Sequence, residues 1–403
     1  MKNECHDRII FAGQMRYIHQ HIGIILQMYK GDMPLANFLK FYFKKHPVLG
    51  SRDRKMLSEM AYCYYRCAKG LLPKGLSNAE KTDASLLLAE SHLAHIEKIL
   101  PEQLRTFYGQ NFDANLTLLG KQGIDFDLNA LFDMDIPFSD GIKRDDWLRS
   151  MLHRPKLFIR VVPKYYTQVK ELLDTASLSF VELEDYCISL ANGSPVEKIL
   201  SEKMYRTQDA SSQKTARYFR VKDRESCWDC CSGAGGKSLL VKDIAPNAAL
   251  CVSDVRKSIL DNLAERFQLY GYAMPERLLL SAADTEQTKT VLGNRSFEHI
   301  IADVPCSGSG TWARTPEQLY FFDHNTLIDF SERQKNIAQN AVQYLSVGGS
   351  FVYITCSVFR QENEDVVQSV LEQNPGLKLL EQKLINGLTI GADSMFVAVM
   401  EQT

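Results

Sequence analysis

The stretch Ser226-Cys-Trp-Asp-Cys-Cys-Ser-Gly-Ala-Gly-Gly-Lys-Ser238 decides the fold. Residues 226–230 form an apolar, strand-prone run, and the glycines after it end the run just before a helical segment. Glycines at such a turn let the backbone approach a ligand closely and leave amide N–H groups free to meet anionic or polar atoms. Working outward, further strand signals fall at residues 249–253, 278–281, 299–303 and 350–355, with amphipathic segments between them such as 256–269 and 331–345. This alternation predicts an α/β domain with a doubly wound, mostly parallel sheet, whose ligands sit at the carboxyl ends of the strands.

Upstream the period changes twice. Apolar residues recur at helical spacing over 16–68: Ile22, Ile25, Leu26 and Tyr29, then Leu35, Phe38, Leu39 and Tyr42, then Met56, Leu57, Met60, Ala61, Tyr64 and Tyr65. Breaks fall at Gly31-Asp-Met-Pro34 and at His46-Pro-Val-Leu-Gly50, after which Ser51 or Asp53 is placed to cap the next helix. Helical character continues over 84–100 and 102–107. Lys156-Leu-Phe-Ile-Arg-Val-Val162 is then a β-rich run, 165–173 reads as a helix, and 179–183 and 187–190 read as short strands. The expected organisation is an all-α domain over 1–140, a small α+β module over 145–215 and the α/β domain over 216–403. The polar stretch 204–213 is too specific in composition to be a plain linker.

Composition narrows the classes. At 45% hydrophobic and 24% charged residues, the 403-residue chain is neither collagenous nor disordered. Lys plus Arg is 47 against 49 for Asp plus Glu, a net charge of −2 that argues against a uniformly basic nucleic-acid binder. The balance hides an asymmetry: residues 1–80 hold 13 basic against 6 acidic side chains, and residues 81–150 hold 7 against 12. The charged start has no apolar signal core and no stretch reaches a membrane span, so the expectation is a soluble cytoplasmic protein, a monomer with no membrane partner. Ten cysteines are too dilute for a disulfide scaffold and are sorted by context. Cys227-Trp-Asp-Cys230 lies inside a strand, where its two thiols point to opposite faces, and no second CxxC completes a zinc site, so no metal is expected.

Two ligands suit the glycine turn. Gly236-Lys237-Ser238 matches the end of a phosphate-binding P-loop, GxxxxGK followed by Ser or Thr, but Cys231 occupies the position of the first glycine, where its Cβ obstructs the wrap around a phosphate. The alternative is an S-adenosylmethionine site, with Cys231, Ser232, Gly233, Ala234, Gly235, Gly236 and Lys237 around the methionine end of the cofactor. Asp254 then ends the second strand, where a carboxylate meets ribose hydroxyls, and Asp284 ends the next, within reach of the adenine amine. Each aspartate alone reads equally as a helix cap. Three acids at successive strand ends, with Asp284 as the third, favour the cofactor.

Asp303-Val-Pro-Cys-Ser-Gly-Ser-Gly310 and Tyr353-Ile-Thr-Cys-Ser357 each place a cysteine directly after an apolar run, at the ligand-binding edge of the sheet. Other cysteines, among them Cys5, Cys63, Cys67, Cys187 and Cys251, read as small buried hydrophobes. Pyrimidine C5 is a poor nucleophile, and a thiolate added at C6 makes it able to attack a methyl group. One cysteine therefore serves as covalent catalyst and a second thiol near C5 assists elimination. Asp303 binds the base near N3, and Lys237 orients that carboxylate.

The set DCCSGAGGKS, SDVRKS, ADVPCSGSGTW and YITCSVFRQENE resembles the RsmB/NOP-type (Sun/Fmu) family of RNA 5-cytosine methyltransferases. The resemblance implies a Rossmann-like S-adenosylmethionine-dependent domain, an RNA partner with ribosomal RNA ahead of transfer RNA, the nucleophile at Cys356 and product release helped by Cys306. It extends to 205–213 and to the α+β module, and the segment 50–66 is similar to a NusB-like helical domain of bacterial members. This chain has Ser232-Gly233-Ala234 where the family usually has Ala-Ala-Pro, a looser loop with no donor lost. RNA contacts are expected from Lys44, Lys45, Arg52, Arg54, Lys55 and Arg217. The competing class is a noncatalytic RNA-binding or assembly protein, which would be expected to have lost a thiol or an acid.

Overall fold

The structure is a computed structural model and describes residues 17–89, 91, 93, 100, 102–105 and 108–403. Cys5 and parts of the helical readings over 84–100 and 102–107 lie outside these residues. The chain divides into two compact units.

The first comprises the described parts of Met1–Asp135 together with Asp145–Arg154 and Trp312–Phe322. Its helices Leu35–Lys45 and Ser51–Cys67 bury the periodic positions read from the sequence, including Phe38, Leu39 and Tyr42 on one and Met60, Tyr64 and Tyr65 on the other. Gly50 occupies the cap position of the second helix. Ser51 is its first residue, and Asp53 Oδ2 accepts from the Gly50 amide at 3.2 Å. The unit is helical apart from a two-residue antiparallel ladder, Leu71–Leu72 with Asp125–Phe126. Trp312–Phe322 joins it from far along the chain, with the Tyr320 ring 5.1 Å from Tyr65 and the Ala313 carbonyl accepting from buried Arg66 at 2.8 Å.

The second unit holds two sheets. The smaller is antiparallel, with β1 (Leu157–Val161), β2 (Phe180–Glu182), β3 (Cys187–Leu190) and β4 (Tyr205–Thr207) in the order β2-β3-β1-β4. The larger has seven strands: β5 (Ser226–Asp229), β6 (Ala249–Asp254), β7 (Glu276–Leu279), β8 (Phe297–Asp303), β9 (Leu345–Thr355), β10 (Leu377–Ile385) and β11 (Met395–Gln402). Their order is β10-β11-β9-β8-β5-β6-β7, with β7, β6, β5, β8 and β9 parallel and β11 antiparallel to both its neighbours, β9 and β10. The predicted mostly parallel, doubly wound sheet is present. Chain order reverses between β5 and β8, the switch point where loops leave in opposite directions and open a crevice.

Helices α1 (Gly236–Ile244), α2 (Lys257–Tyr270), α3 (Thr285–Leu292), α4 (His324–Val342) and α5 (Glu364–Gln373) alternate with the strands. Alternation along β5 places Cys227 in a core with Leu239, Leu250 and Leu263, while Trp228 packs on Phe297 and Tyr344. The CxxC thiols are therefore on opposite faces, both buried.

Candidate active site

Between β5 and α1 the chain turns through two left-handed glycines, Gly233 at φ +50° and Gly235 at φ +83°. Gly235 is also sterically required, since a Cβ there would lie 2.9 Å from Leu263 Cγ on α2. A Cβ on Gly233 or Gly236 would instead meet no atom within 4 Å, because both residues line a cavity of about 780 Å³. Cys231, Ser232, Ala234, Asp254, Asp303, Cys306 and Cys356 line the same cavity. The switch point has thus gathered the glycine turn, one second-strand acid and both motif cysteines from loops spread over 126 positions (Cys230 to Cys356). Gly235, Lys237 and Asp284 are not among the residues that line it.

Three strand-end acids have different partners. Asp254 ends β6 with Oδ2 accepting from the Gly233 amide at 3.2 Å, which ties the second strand to the glycine turn. Its other contacts come from Arg256, whose amide and Nε donate to Oδ1 at 2.9 and 3.0 Å and whose Nη2 donates to Oδ2 at 3.2 Å. Asp284 caps α3, accepting from the Gln287 amide at 2.9 Å. Asp303, at the end of β8, accepts from Lys237 Nζ at 3.1 Å, and that ammonium also donates to Ser212 Oγ at 3.0 Å. Lys237 is buried and Asp303 half-buried, so the pair is more than a surface ion pair. Ser212 gives the polar segment 204–213 a place in the site.

Lys237 and Ser238 are not free to serve a P-loop. The lysine is held by Asp303, and Ser238 Oγ, fully buried, donates to Asp229 Oδ2 at 2.5 Å. Burial pushes the Asp229 carboxyl up to about 7, against the pull of the Ser238 hydrogen bond.

Cys306 and Cys356 Sγ lie 3.2 Å apart as free thiols, and the Cys356 amide donates to Cys306 Sγ at 3.3 Å. Contact with Cys356 and burial push the Cys306 thiol well above its usual range, with the Glu362 carboxylate adding to the effect and the Cys356 amide opposing it. Gly310 brings the loops together. Its amide donates to the Cys356 carbonyl at 2.9 Å, and a Cβ there would lie 2.2 Å from the Ser394 carbonyl oxygen.

Three cavity-lining arginines escaped sequence reading: Arg256 and Arg266 at α2, and Arg333 on α4. A basic residue on an amphipathic helix reads as solvated, and only the fold brings these to the cavity edge, Arg266 half-buried and Arg256 and Arg333 still exposed. Arg266 Nη1 donates to the Ala234 carbonyl at 2.6 Å and so braces the glycine turn. Of the residues expected to meet RNA, Lys44, Lys45, Arg52 and Lys55 are exposed in the first unit. There the Lys45 ammonium lies 4.3 Å from the ring centre of exposed Phe41. Arg54 is half-buried, with Nε donating to the Leu49 carbonyl at 2.8 Å. Arg217, in the second unit, is engaged by Asp185 at 2.8 Å and Glu184 at 2.7 Å. Among the described residues, no group of three metal-ligating side chains comes together, and no helix is long and apolar enough to cross a membrane.

Comparison with known proteins adds three findings. Residues 216–402 match the family model described as 16S rRNA methyltransferase RsmB/F. The chain is 26% identical over 232 residues to the ribosomal RNA small subunit methyltransferase B of Klebsiella pneumoniae (strain 342), covering 56% of this chain and 53% of that protein. It thus spans about half the length of the curated relatives it matches. Among solved structures, NSun6 from Pyrococcus horikoshii, crystallised with SFG, an analogue of S-adenosylmethionine, superposes with a TM-score of 0.56 at 14% identity over 64% of this chain and 94% of that one. A methyltransferase homolog protein from the same organism gives 0.55 at 17% identity over 72% and 98%. At these identities the likeness is one of fold.

Proposed function

We propose that this protein, whose residues 216–402 match the family model described as 16S rRNA methyltransferase RsmB/F, is an S-adenosylmethionine-dependent RNA cytosine-5 methyltransferase that acts in the cytoplasm on small-subunit ribosomal RNA. The observation that carries the reading is the pair of thiols 3.2 Å apart on the wall of the glycine-turn cavity. In this reading residues 1–140 hold RNA, 145–215 support the site through Ser212, and 216–403 carry the chemistry.

The cavity suits the cofactor. It is large enough for a nucleoside with an amino-acid tail, its glycines leave space that a Cβ would fill, and Leu280 and Ile337 give it apolar wall for a base. Cys231 to Gly236 would hold the methionine end and Asp254 the ribose, with Arg256 displaced from the carboxylate. Asp284 would act from its cap position next to Ala283, which lines the cavity. S-adenosylmethionine, when bound there, supplies an electrophilic methyl group.

The target cytosine must be unpaired or flipped, since an A-form duplex hides its ring. Cys356 would give up its proton to solvent and the thiolate would add to C6, forming the Sγ–C6 bond and moving the C5=C6 electron pair onto C5, which would take the methyl group as the sulfonium S–CH3 bond breaks with its electrons returning to sulfur. Asp303, held by Lys237, binds the edge of the base near N3, where charge changes on attack. Cys306 would assist removal of the C5 proton, which passes to solvent. The electrons of the C5–H bond restore the C5=C6 double bond, the Sγ–C6 bond breaks, and Cys356 leaves as thiolate. Incubation with S-adenosylmethionine and an in vitro small-subunit ribosomal RNA transcript, read by bisulfite sequencing, should protect a single cytosine from conversion. Conversion of every cytosine, together with calorimetric binding of ATP in preference to S-adenosylmethionine, would overturn the reading.

A further inference from the structure

The segment Arg360-Gln-Glu-Asn-Glu364 follows the second cysteine loop and has so far carried only a resemblance. Its central residue, Glu362, is a fully buried carboxylate whose four side-chain hydrogen-bond donors are all neutral. Oε1 accepts from the Ser307 amide at 2.7 Å and from Gln334 Nε2 at 2.9 Å. Oε2 accepts from Ser307 Oγ and from Ser357 Oγ, both at 2.5 Å.

Ser307 follows Cys306 and Ser357 follows Cys356, so one carboxylate is bonded to the residue after each thiol. Gln334 adds a third tie, donating to the carbonyl of Pro305, the residue before Cys306, at 2.9 Å. Ser309 Oγ lies 3.0 Å from Ser357 Oγ and accepts from the Val358 amide at 2.9 Å, so the serines around the carboxylate are themselves linked. The backbone of Glu362 is anchored as well, its carbonyl accepting from fully buried Tyr353 at 2.6 Å. A charge in such a place is costly unless its hydrogen bonds are complete. Neutral serines and a glutamine satisfy the geometry without cancelling the charge, which therefore acts on the adjacent thiols.

We propose that Glu362 is the positioning residue that holds the Cys306 and Cys356 loops at reacting distance, and that its carboxylate, bound to both the amide and the hydroxyl of Ser307 beside Cys306, keeps the proton of the thiol pair on Cys306. This rests on the methyltransferase reading for its consequence, though not for its geometry. Beside Cys306 stand the Cys356 thiol and amide, Glu362 and Tyr353, and the charged side chains of Asp303 and Arg333 line the same cavity. A carboxylate disfavours a thiolate beside it.

The test uses the full chain as wild type, Glu362→Gln and Glu362→Ala. Glutamine keeps one oxygen for the Ser307 amide and Gln334, and its NH₂ meets two hydroxyls that can turn to accept, so it removes charge while retaining the ties. Iodoacetamide labelling of Cys306 and Cys356, mapped by mass spectrometry across pH without RNA or cofactor, reads the proton assignment directly. Glu362→Gln should move the onset of Cys306 labelling down by about one pH unit. In methyl transfer to the small-subunit ribosomal RNA transcript, it should lower kcat about tenfold with KM within about twofold. Glu362→Ala should lower kcat at least about a hundredfold. A Cys306 labelling profile in Glu362→Gln that superimposes on wild type overturns the proposal. Should Glu362→Ala fail to fold, Glu362→Gln decides alone. If wild type transfers no methyl group while the labelling profiles shift as expected, the functional reading fails and the positioning role stands.

Discussion

Both ends of the seven-stranded sheet carry a cavity and a chain of polar side chains, and only one of them has the makings of an active site. At the amino ends of the strands a cavity of about 590 Å³ is lined by Arg220, Lys222, Glu225, His299 and Ser350, among others. His299 has Nδ1 2.7 Å from Ser350 Oγ and Nε2 2.7 Å from Glu225 Oε2. The trio has the composition of a hydrolase triad. Yet Ser350 is buried in β9 directly opposite His299 in β8, so the chain bridges neighbouring strands and closes on itself. At the carboxyl ends, by contrast, chain order reverses between β5 and β8, left-handed glycines open the wall, and Asp303 and two thiols face the space. A polar constellation becomes a site where the topology leaves reactive atoms facing a cavity, and becomes a strut where it does not.

The contrast can be broken most directly at the thiols. Cys356→Ala should lose methyl transfer by at least about ten-thousand-fold, with no covalent complex. Cys306→Ala should instead accumulate a protein–RNA complex that survives a denaturing gel. An adduct persisting in Cys356→Ala would exchange the two roles.

Asp229, beneath the glycine turn, offers a test in stability. Its carboxyl sits at about 7 in the folded chain against an ordinary 3.8, so the folded state holds the proton while the unfolded state releases it. Stability should therefore fall as pH rises from about 4 to about 7 and level off above, by at most roughly 4 kcal/mol. Asp229→Asn should flatten that slope in denaturant titrations, and an unchanged slope would reject the buried-acid account.

At the opposite end, His299→Ala should cost about 2 kcal/mol by removing the partner of buried Ser350, measured as a lower unfolding midpoint. Methyl transfer below the midpoint should stay within about twofold of wild type. Loss of activity there without loss of stability would end the distinction between strut and site. The smallest effect is expected at Arg256, which is largely exposed and spends its hydrogen bonds on Asp254. Arg256→Ala should free the carboxylate and tighten S-adenosylmethionine binding by no more than about fivefold, the worth of an exposed ion pair. Weaker binding by calorimetry would mean that Arg256 itself contacts the cofactor.

Legibility in the sequence followed the range of the interaction. The parallel strands were readable because each is a short apolar run ended by a turn; β7, read at 278–281, lies two residues earlier at Glu276–Leu279 because its side chains are mostly exposed. β10 had no readable signal, since only its first residue and last two are buried. Asp284 had the right spacing and proved to cap a helix, the reading any lone aspartate invites. Arg266 and Arg333 were invisible because a helix face does not announce what it will be packed against.

What the sequence determined by itself was the α/β alternation, the glycine turn and the residue types at each strand end, because periodicity and turn chemistry act over a few positions. Only the tertiary structure decided that Cys306 and Cys356 meet, that Lys237 holds Asp303, and that Glu362 binds the residue after each cysteine. These partners are 50, 66 and up to 55 positions apart, and a buried carboxylate takes whichever donors the folded chain brings to it.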